Sequence, residues 1–259
     1  MLGAVIGDIV GSVYEWNNIK TTDFILFKPN CFFTDDTVLT AATAKAMMTG
    51  EDYAHIYQDF SRRYPGRGYG GNFSRWIHME DPTPYNSWGN GSAMRVSPVG
   101  FALNTVEEVL AEAQRSAEVT HNHPEGIKGA QATALAVLLA RLGESKTEIK
   151  ETLTQFFAYD LGRKLDEIRP SYTFDVSCQG SVPEAIIAFL ESTSYEDAIR
   201  KAISLGGDSD TIACITGGIA EAFYGGVPDE IAEVGRGYIS EEILQILDDF
   251  TEWRETRKE

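Results

Sequence analysis

Two short acidic clusters are the parts of the 259-residue sequence best suited to chemistry. The first reads Thr34-Asp35-Asp36 and the second reads Asp208-Ser209-Asp210-Thr211. Apolar residues surround both clusters, and each cluster opens a stretch with helical spacing. Four carboxylates held together in semi-buried positions would repel one another strongly, and bound cations would remove that cost. The pair of clusters therefore predicts a cation site.

The ligand types in the clusters favour Mg²⁺ or Mn²⁺. Aspartate and threonine offer oxygen atoms, which these hard cations prefer, whereas zinc sites generally use histidine or cysteine. Neither cluster contains a pair of such residues. The alternative for each cluster taken alone is a helix N-cap, because Asp and Thr are common at that position.

A third candidate is the glycine-flanked turn Gly89-Asn90-Gly91-Ser92-Ala93-Met94-Arg95. A turn of this kind can present backbone N–H groups to phosphate oxygens. An ordinary Asn-Gly turn is the alternative. Residues 61–92, rich in glycine, proline and aromatic side chains, predict a long functional loop before it. The aromatic rings would either stack on a base or pack in the fold.

The elements that position these residues are predicted to be helices, because the alternation of apolar and polar residues that is typical of strands is scarce. Gly3, Gly7 and Gly11 would share one helix face and predict close packing against another backbone. The segment 206–226 is small or apolar on every side, which predicts a central helix. Helices are predicted over residues 3–14, 35–48, 107–119, 124–142, 146–158, 183–192 and 206–226, with two more over 227–253 and an irregular stretch at 166–180.

Composition narrows the partners and the compartment. The chain has 22 basic and 39 acidic residues, a net charge of −17, which disfavours binding to nucleic acid or to an anionic membrane. No window reaches the roughly 18 apolar residues of a membrane-spanning helix. The first residues lack the basic region of a signal peptide, and the three cysteines include no close pair. We therefore expect a cytoplasmic protein.

Taken together, these segments resemble the ADP-ribosyl-acceptor hydrolases, the family that includes dinitrogenase-reductase-activating glycohydrolase and the ADP-ribosyl-serine and ADP-ribosyl-arginine hydrolases. The resemblance implies one all-α domain over residues 1–259, a compact orthogonal multi-helix bundle with a central metal-binding cleft. It also implies two Mg²⁺ or Mn²⁺ ions and hydrolysis of the bond between ADP-ribose and its acceptor. The matching segments are GAVIGDIVGSVYE at 3–15, FTDDT at 33–37, GNGSAMR at 89–95, Thr120-His121, SVPEAIIAFL at 181–190 and GGDSDTIACITGGIAEAFYG at 206–225.

The resemblance also assigns roles to residues of this sequence. Glu15 matches a glutamate that sits over the site in serine-type relatives, and its alternative is a solvated helix-end carboxylate. His121 would contact the distal ribose or a phosphate, or would be a structural histidine. Metal ligands are predicted at Thr34, Asp35, Asp36, Asp208, Asp210 and Thr211. Catalytic roles are predicted for Glu15, Asp35 and Asp36, and substrate binding for Gly89, Asn90, Gly91, Ser92, Met94 and His121.

The expected chemistry is glycosidic cleavage through an oxocarbenium-like state, assisted by an activated water molecule. The acceptor stays open between serine, arginine and a small molecule, although Glu15 in the motif GSVYE is closer to the serine-type enzymes. The rival functions are hydrolysis of small ADP-ribose derivatives such as O-acetyl-ADP-ribose, and a silent ADP-ribose-binding or structural protein on the same scaffold. We expect a monomer.

Overall fold

The computed structural model describes residues 1–256, so the last three residues of the predicted domain lie outside the described part. Within residues 1–256 the chain forms fifteen helices and no β-strand, and Gly89 and Ser177 form an isolated antiparallel bridge. The all-α prediction is confirmed. The helices are α1 (Leu2–Gly11), α2 (Asp35–Thr49), α3 (Tyr53–Arg63), α4 (Gly71–Trp76), α5 (Gly91–Met94), α6 (Ser97–Ala102), α7 (Val106–Glu118), α8 (Pro124–Arg141), α9 (Lys146–Phe157), α10 (Leu165–Ile168), α11 (Cys178–Leu190), α12 (Tyr195–Ser204), α13 (Ser209–Tyr224), α14 (Asp229–Arg236) and α15 (Glu241–Glu255).

The glycine face of α1 packs directly on α13, as the spacing predicted. A Cβ added to Gly7 would lie 2.1 Å from the carbonyl oxygen of Ala213, and one added to Gly11 would lie 2.4 Å from Cα of Asp210. No larger residue fits between these backbones. The contact fixes the C-terminal end of α1 beside the start of α13, where the second acidic cluster lies.

Helix α13 is the centre of the molecule. It contacts α1, α8, α11 and α12, and its residues from Ser209 to Ala220 are all buried. This agrees with the small, apolar sequence of the segment 206–226. The helix begins at Ser209 rather than at 206, because Gly206 and Gly207 both adopt the left-handed conformation, with φ of 71° and 72°.

Several helix bounds differ from the predictions. The first helix ends at Gly11 instead of residue 14, and α11 begins at Cys178 and continues through Pro183, which the prediction had placed at the helix start. Helices α3 and α12 were not predicted, although each has an N-capping side chain, from Asp52 and Ser194 respectively. The predicted loop at 61–92 contains the end of α3 and the short helix α4.

No helix in the described residues is both long and apolar enough to cross a membrane.

Candidate functional site

A cavity of about 490 Å³ opens at the meeting point of α1, α2 and α13. Both acidic clusters and the glycine-flanked turn line it. The structure therefore brings three separately predicted segments to one place. The lining includes Glu15, Thr34, Asp35, Asp36, Gly89, Asn90, Gly91, Met94, Arg95, His121, Asp208, Asp210 and Thr211.

The first cluster forms the beginning of α2. Thr34 is the N-cap, and its hydroxyl oxygen accepts a hydrogen bond from the backbone N–H of Asp36 at 3.2 Å. The capping alternative is therefore true of Thr34. The side chain of Asp36 is 2% exposed, and its Oδ1 has no hydrogen-bond partner among residues 1–256. Asp35 is partly exposed and faces the cavity.

Asp8 on α1 supports this cluster, and the sequence reasoning did not identify it as a site residue. Its carboxylate accepts hydrogen bonds from the backbone N–H of Thr34 at 2.9 Å and of Thr37 at 3.1 Å, and from both threonine hydroxyls. Burial raises the pKa of Asp8 to about 6, against the opposing effect of these donors. These hydrogen bonds attach the start of α2 to α1.

The second cluster behaves differently from a helix cap. Asp208 occupies the N-cap position of α13, yet its side chain makes no capping hydrogen bond. Instead its Oδ2 accepts from Nδ2 of Asn90 at 2.6 Å. The hydroxyl of Thr211 donates to Oδ2 of Asp36 at 3.4 Å, which joins the two clusters. The capping alternative therefore does not account for Asp208.

The carboxylates form two overlapping triplets with oxygen atoms mutually within 4.8 Å. One contains Asp8, Asp36 and Asp210, and the other contains Glu15, Asp208 and Asp210. Burial raises the pKa of Asp210 well above its usual value, and the neighbouring Asp208 and Asp36 raise it further. Such repulsion, with an unsatisfied oxygen on Asp36, fits a site built for cations with oxygen ligands. Asp35 belongs to neither triplet.

Glu15 lies half-buried on the segment that follows α1. Burial, and next the charge of Asp208, raise its pKa to about 7. The carboxyl group is therefore poised to exchange a proton near neutral pH. The solvated-carboxylate alternative does not describe this environment.

The segment carrying Glu15 is fastened to the second cluster. The side-chain amide of Asn18 donates to the carbonyl of Gly207 at 2.9 Å and accepts from its N–H at 2.8 Å. Trp16 stacks on Phe174 with ring centroids 5.1 Å apart, and both rings stand at the rim of the cavity. The position of Glu15 thus depends on contacts with two other parts of the chain.

The glycine-flanked turn lines the cavity through Gly89, Asn90, Gly91 and Met94. Ser92, predicted to bind the substrate with them, does not line the cavity. Its side chain is fully buried, and its hydroxyl donates to the carbonyl oxygen of Gly126 at 2.7 Å, away from the cavity. Any contact of Ser92 with a substrate would therefore come from its backbone amide, which lies in the first turn of α5 and has no partner within that helix.

His121 lies under the same turn. Its Nδ1 is 2.7 Å from the hydroxyl oxygen of Thr120, and burial, with a smaller contribution from Arg95, lowers its pKa well below the usual value. The histidine is therefore neutral at physiological pH. Arg95, which the sequence marked only as the end of the motif, is fully buried and forms no ion pair within the described chain.

The chain is similar to known proteins along most of its length. Residues 1–259 match the family profile described as ADP-ribosylglycohydrolase. The human ADP-ribosylhydrolase ARH3 is 30% identical over 94% of this chain and 90% of its own length. The ADP-ribosylarginine hydrolase Tri1 of Pseudomonas putida is 28% identical over 90% of this chain and 72% of its own length.

One solved structure supports the fold independently. It is described as an ADP-ribosylglycohydrolase-related protein complex, and it matches with a TM-score of 0.65 over 92% of this chain and 97% of that one, at 24% identity. The family match covers the acidic clusters, the turn and the helices that bring them together. The chain belongs to the ADP-ribosylglycohydrolase family.

Proposed function

We propose that this protein hydrolyses the glycosidic bond between ADP-ribose and a modified protein side chain, in a reaction that depends on two Mg²⁺ or Mn²⁺ ions. The observation that carries the proposal is the pair of carboxylate triplets sharing Asp210 beside a cavity that the glycine turn also lines. Oxygen-rich acidic sites suit these cations, and glycine turns suit a diphosphate. Residues 1–259 would act as one domain.

The cations would be held by Thr34, Asp36, Asp208, Asp210 and Thr211, with Asp35 reaching in from the open side of the cavity. This set contains only oxygen donors. When bound, the cations would offset the carboxylate charge and polarise oxygens of the ribose and of a water molecule. The hydrogen bonds from Thr34 and Thr37 to Asp8 keep the first cluster in position for this task.

The glycine turn would hold the diphosphate of ADP-ribose. Gly89 and Gly91 leave room for close approach of phosphate oxygens. The N–H groups of the first two residues of α5 have no acceptor within that helix and could donate to the phosphate. Asn90 links this turn to the cation site, because its side chain donates to Asp208. Met94 and His121 would complete the contact with the nucleotide part.

Glu15 and Asp35 would handle the water molecule and the leaving group. Cleavage of the ribosyl bond leaves positive charge on the sugar, and it needs a water molecule on one face and a proton for the departing acceptor oxygen or nitrogen. Glu15, half-buried at the cavity, would carry that proton. Asp35, partly exposed at the cavity, can orient the water, while buried Asp36 stays with the cations.

A protein acceptor fits the rim of the cavity better than a small one. Trp16, Phe32 and Phe174 are large apolar side chains that are more than 40% exposed and border the opening. Exposed apolar groups around a site are typical of surfaces that contact another chain. Hydrolysis of O-acetyl-ADP-ribose and silent ADP-ribose binding are the alternatives that the experiment separates.

The proposed setting is the cytoplasm, with the protein acting as a monomer on ADP-ribosylated proteins and without nucleic-acid partners. The buried, unpaired thiols of Cys31, Cys178 and Cys214 suit a reducing compartment. The net charge of −17 opposes association with polyanions.

The test measures release of ADP-ribose from serine-linked and arginine-linked peptides and from O-acetyl-ADP-ribose, with Mg²⁺, with Mn²⁺ and with excess EDTA. We expect metal-dependent release from at least one peptide, and none from Asp36→Asn. Asp23→Asn, an exposed position outside the cavity, is the matched control. Full activity in EDTA would refute the metal dependence, and inactivity on all substrates despite metal binding would favour the silent protein.

A further inference from the structure

We propose that Arg95 is a positioning residue that acts through Thr120 to hold His121 as the tautomer protonated on Nε2, with that N–H directed at the glycine turn. The inference rests on the proposed function, because the turn is where the diphosphate of ADP-ribose would lie. It assigns a positioning role to Arg95 and Thr120, neither of which is a proposed metal ligand.

Arg95 is an unusual cation for the interior of a protein. Its side chain has no exposed surface, and no carboxylate lies within ion-pair distance in the described chain. Its guanidinium group rests on the ring of Tyr57, with Cζ 4.2 Å from the ring centroid. A buried charge without an ion-pair partner destabilises the fold, so the presence of Arg95 at this position suggests a functional role.

The hydrogen bonds of Arg95 determine those of Thr120. Nη2 of Arg95 donates to the carbonyl oxygen of Ser116 at 2.8 Å and to the hydroxyl oxygen of Thr120 at 2.9 Å. Because a guanidinium group can only donate, the Thr120 oxygen must accept this bond. One hydrogen remains on that hydroxyl for a second bond.

That hydrogen has two acceptors within reach. The Thr120 oxygen is 2.7 Å from Nδ1 of His121 and 3.5 Å from the carbonyl oxygen of Ala117. The carbonyl oxygen of Ala117 already accepts from the backbone N–H groups of Thr120 and His121, and donation from a cation to the hydroxyl strengthens its bond to Nδ1. Nδ1 therefore accepts, and a neutral imidazole whose Nδ1 accepts must carry its proton on Nε2.

The protonated nitrogen points at the turn. A Cβ added to Gly91 would lie 3.2 Å from Nε2 of His121, and one added to Gly89 would lie 3.5 Å from it. The absence of Cβ atoms at Gly89 and Gly91 lets Nε2 approach the turn, and all three residues line the cavity. A phosphate or ribose oxygen resting on the turn would accept this bond.

The experiment first measures the tautomer directly. Two-bond ¹H–¹⁵N correlation spectra of the imidazoles distinguish Nε2–H from Nδ1–H, and the chain has four histidines, so His121→Gln assigns the signal. We expect Nε2–H for His121 in the unmodified protein without metal or substrate. Observation of Nδ1–H would overturn the proposal, and this measurement does not depend on enzymatic activity.

The second measurement uses a matched pair of variants. Thr120→Val keeps the shape and removes the hydroxyl, and Thr120→Ser keeps the hydroxyl. We expect a mixture of tautomers and roughly tenfold weaker ADP-ribose binding in Thr120→Val, and values within about twofold of the parent in Thr120→Ser. An unchanged tautomer in Thr120→Val, or equal loss in both variants, would contradict the positioning role.

The two proposals can fail separately. If the tautomer is Nε2–H and responds to Thr120→Val while the protein binds no ADP-ribose, the proposed function is wrong and the positioning device stands. If ADP-ribose binds tightly while His121 carries its proton on Nδ1, the proposed function stands and the device is refuted.

Discussion

Two buried carboxylates, Asp36 and Asp210, indicate most directly that the cleft suits cations. Oδ1 of Asp36 is buried and lacks a partner among residues 1–256, and Asp210 belongs to both carboxylate triplets. Polar atoms buried without a partner are rare because each destabilises the fold by roughly 1–3 kcal/mol. The arrangement is consistent with a site whose carboxylates are satisfied by cations.

Asp210→Asn tests this directly. Burial and neighbouring carboxylates raise the pKa of Asp210, so the folded protein prefers the protonated acid. The resulting destabilisation is absent below the ordinary carboxyl pKa and grows as pH rises toward neutral. Without metal at pH 7.5 we expect Asp210→Asn to melt about 2–4 °C above the parent, corresponding to roughly 1 kcal/mol. Calorimetry at pH 4.5 should show a smaller difference.

The same variant should lose its response to metal. Millimolar Mn²⁺ should raise the melting temperature of the parent and of Asp23→Asn but leave that of Asp210→Asn unchanged. A metal response in Asp210→Asn equal to that of the parent would contradict the assignment of Asp210 as a ligand.

Glu15→Gln separates proton transfer from binding. Loss of the carboxyl group should lower kcat by about 10²–10⁴-fold, the usual contribution of a general acid or base. Affinity for ADP-ribose should change by less than about threefold, because the turn and His121 are intact. Single-turnover kinetics and calorimetry give the two values. A large loss of affinity with unchanged kcat would assign Glu15 to substrate binding instead.

At the scale of secondary-structure elements, the contact between α1 and α13 unites the two halves of the site. Gly7 and Gly11 allow the two backbones to touch, which places the end of α1 beside Asp210. Glycine in an open helix is less favourable than alanine by about 1 kcal/mol, so packing is the reason for these residues.

Glycine-to-alanine substitution usually stabilises a helix, whereas Gly7→Ala should destabilise this protein. Its Cβ would lie 2.1 Å from the carbonyl oxygen of Ala213, so the helices must separate. We expect a loss of about 3 kcal/mol in the free energy of unfolding, measured by urea denaturation. Gly162→Ala, whose Cβ would make an ordinary 3.4 Å contact, should stay within about 0.5 kcal/mol of the parent. Equal stability of both variants would show that the contact is not tight.

The sequence predicted these two helices well because both carry a signal along their whole length. The glycine spacing of α1 and the small, apolar character of α13 depend on the contact that buries them. Helix α12 was not predicted, although its sequence is strongly amphipathic and Ser194 caps its start. The predicted start of α11 at residue 183 was wrong, because the helix begins at Cys178 and continues through Pro183.

The site could be predicted only in part, for a physical reason. Duplicated acids are visible in a sequence, whereas the role of Asp8 depends on threonines 26 and 29 residues away. Ser92 was predicted to face the substrate because it lies in the motif, and only its bond to Gly126 shows that the side chain faces inward. Arg95 has no charged neighbour in the sequence, and no carboxylate among residues 1–256 lies within ion-pair distance of it. Its burial could therefore not be predicted from a charge pattern.

At the scale of the whole molecule, the charge of −17 must affect which acceptors approach the cleft. ADP-ribose is itself an anion, so in the proposed function it would depend on the cations and on backbone donors for binding. The surrounding field favours an acceptor chain that carries positive side chains next to the modified residue.

We therefore expect a preference among acceptor peptides that depends on salt. A modified peptide with two flanking lysines should be hydrolysed with a kcat/KM roughly tenfold above that of its alanine counterpart at about 20 mM salt. The preference should shrink at about 300 mM salt, where the screening length falls to several ångströms. Free O-acetyl-ADP-ribose serves as the reference. A preference unaffected by salt would indicate a specific lysine pocket instead of the overall field.

Asn18 bonds both the N–H and the carbonyl of Gly207, so the proposed metal binding and the placement of Glu15 would be parts of one equilibrium. Whatever draws Asp208 toward a cation also steadies the segment at 15–18, and by reciprocity a steadied segment tightens the metal by the same factor. Hydrogen exchange of the amides at 15–18 should slow when Mn²⁺ is added, and less so in Asn18→Ala. Equal slowing in both proteins would show that the two sites move independently.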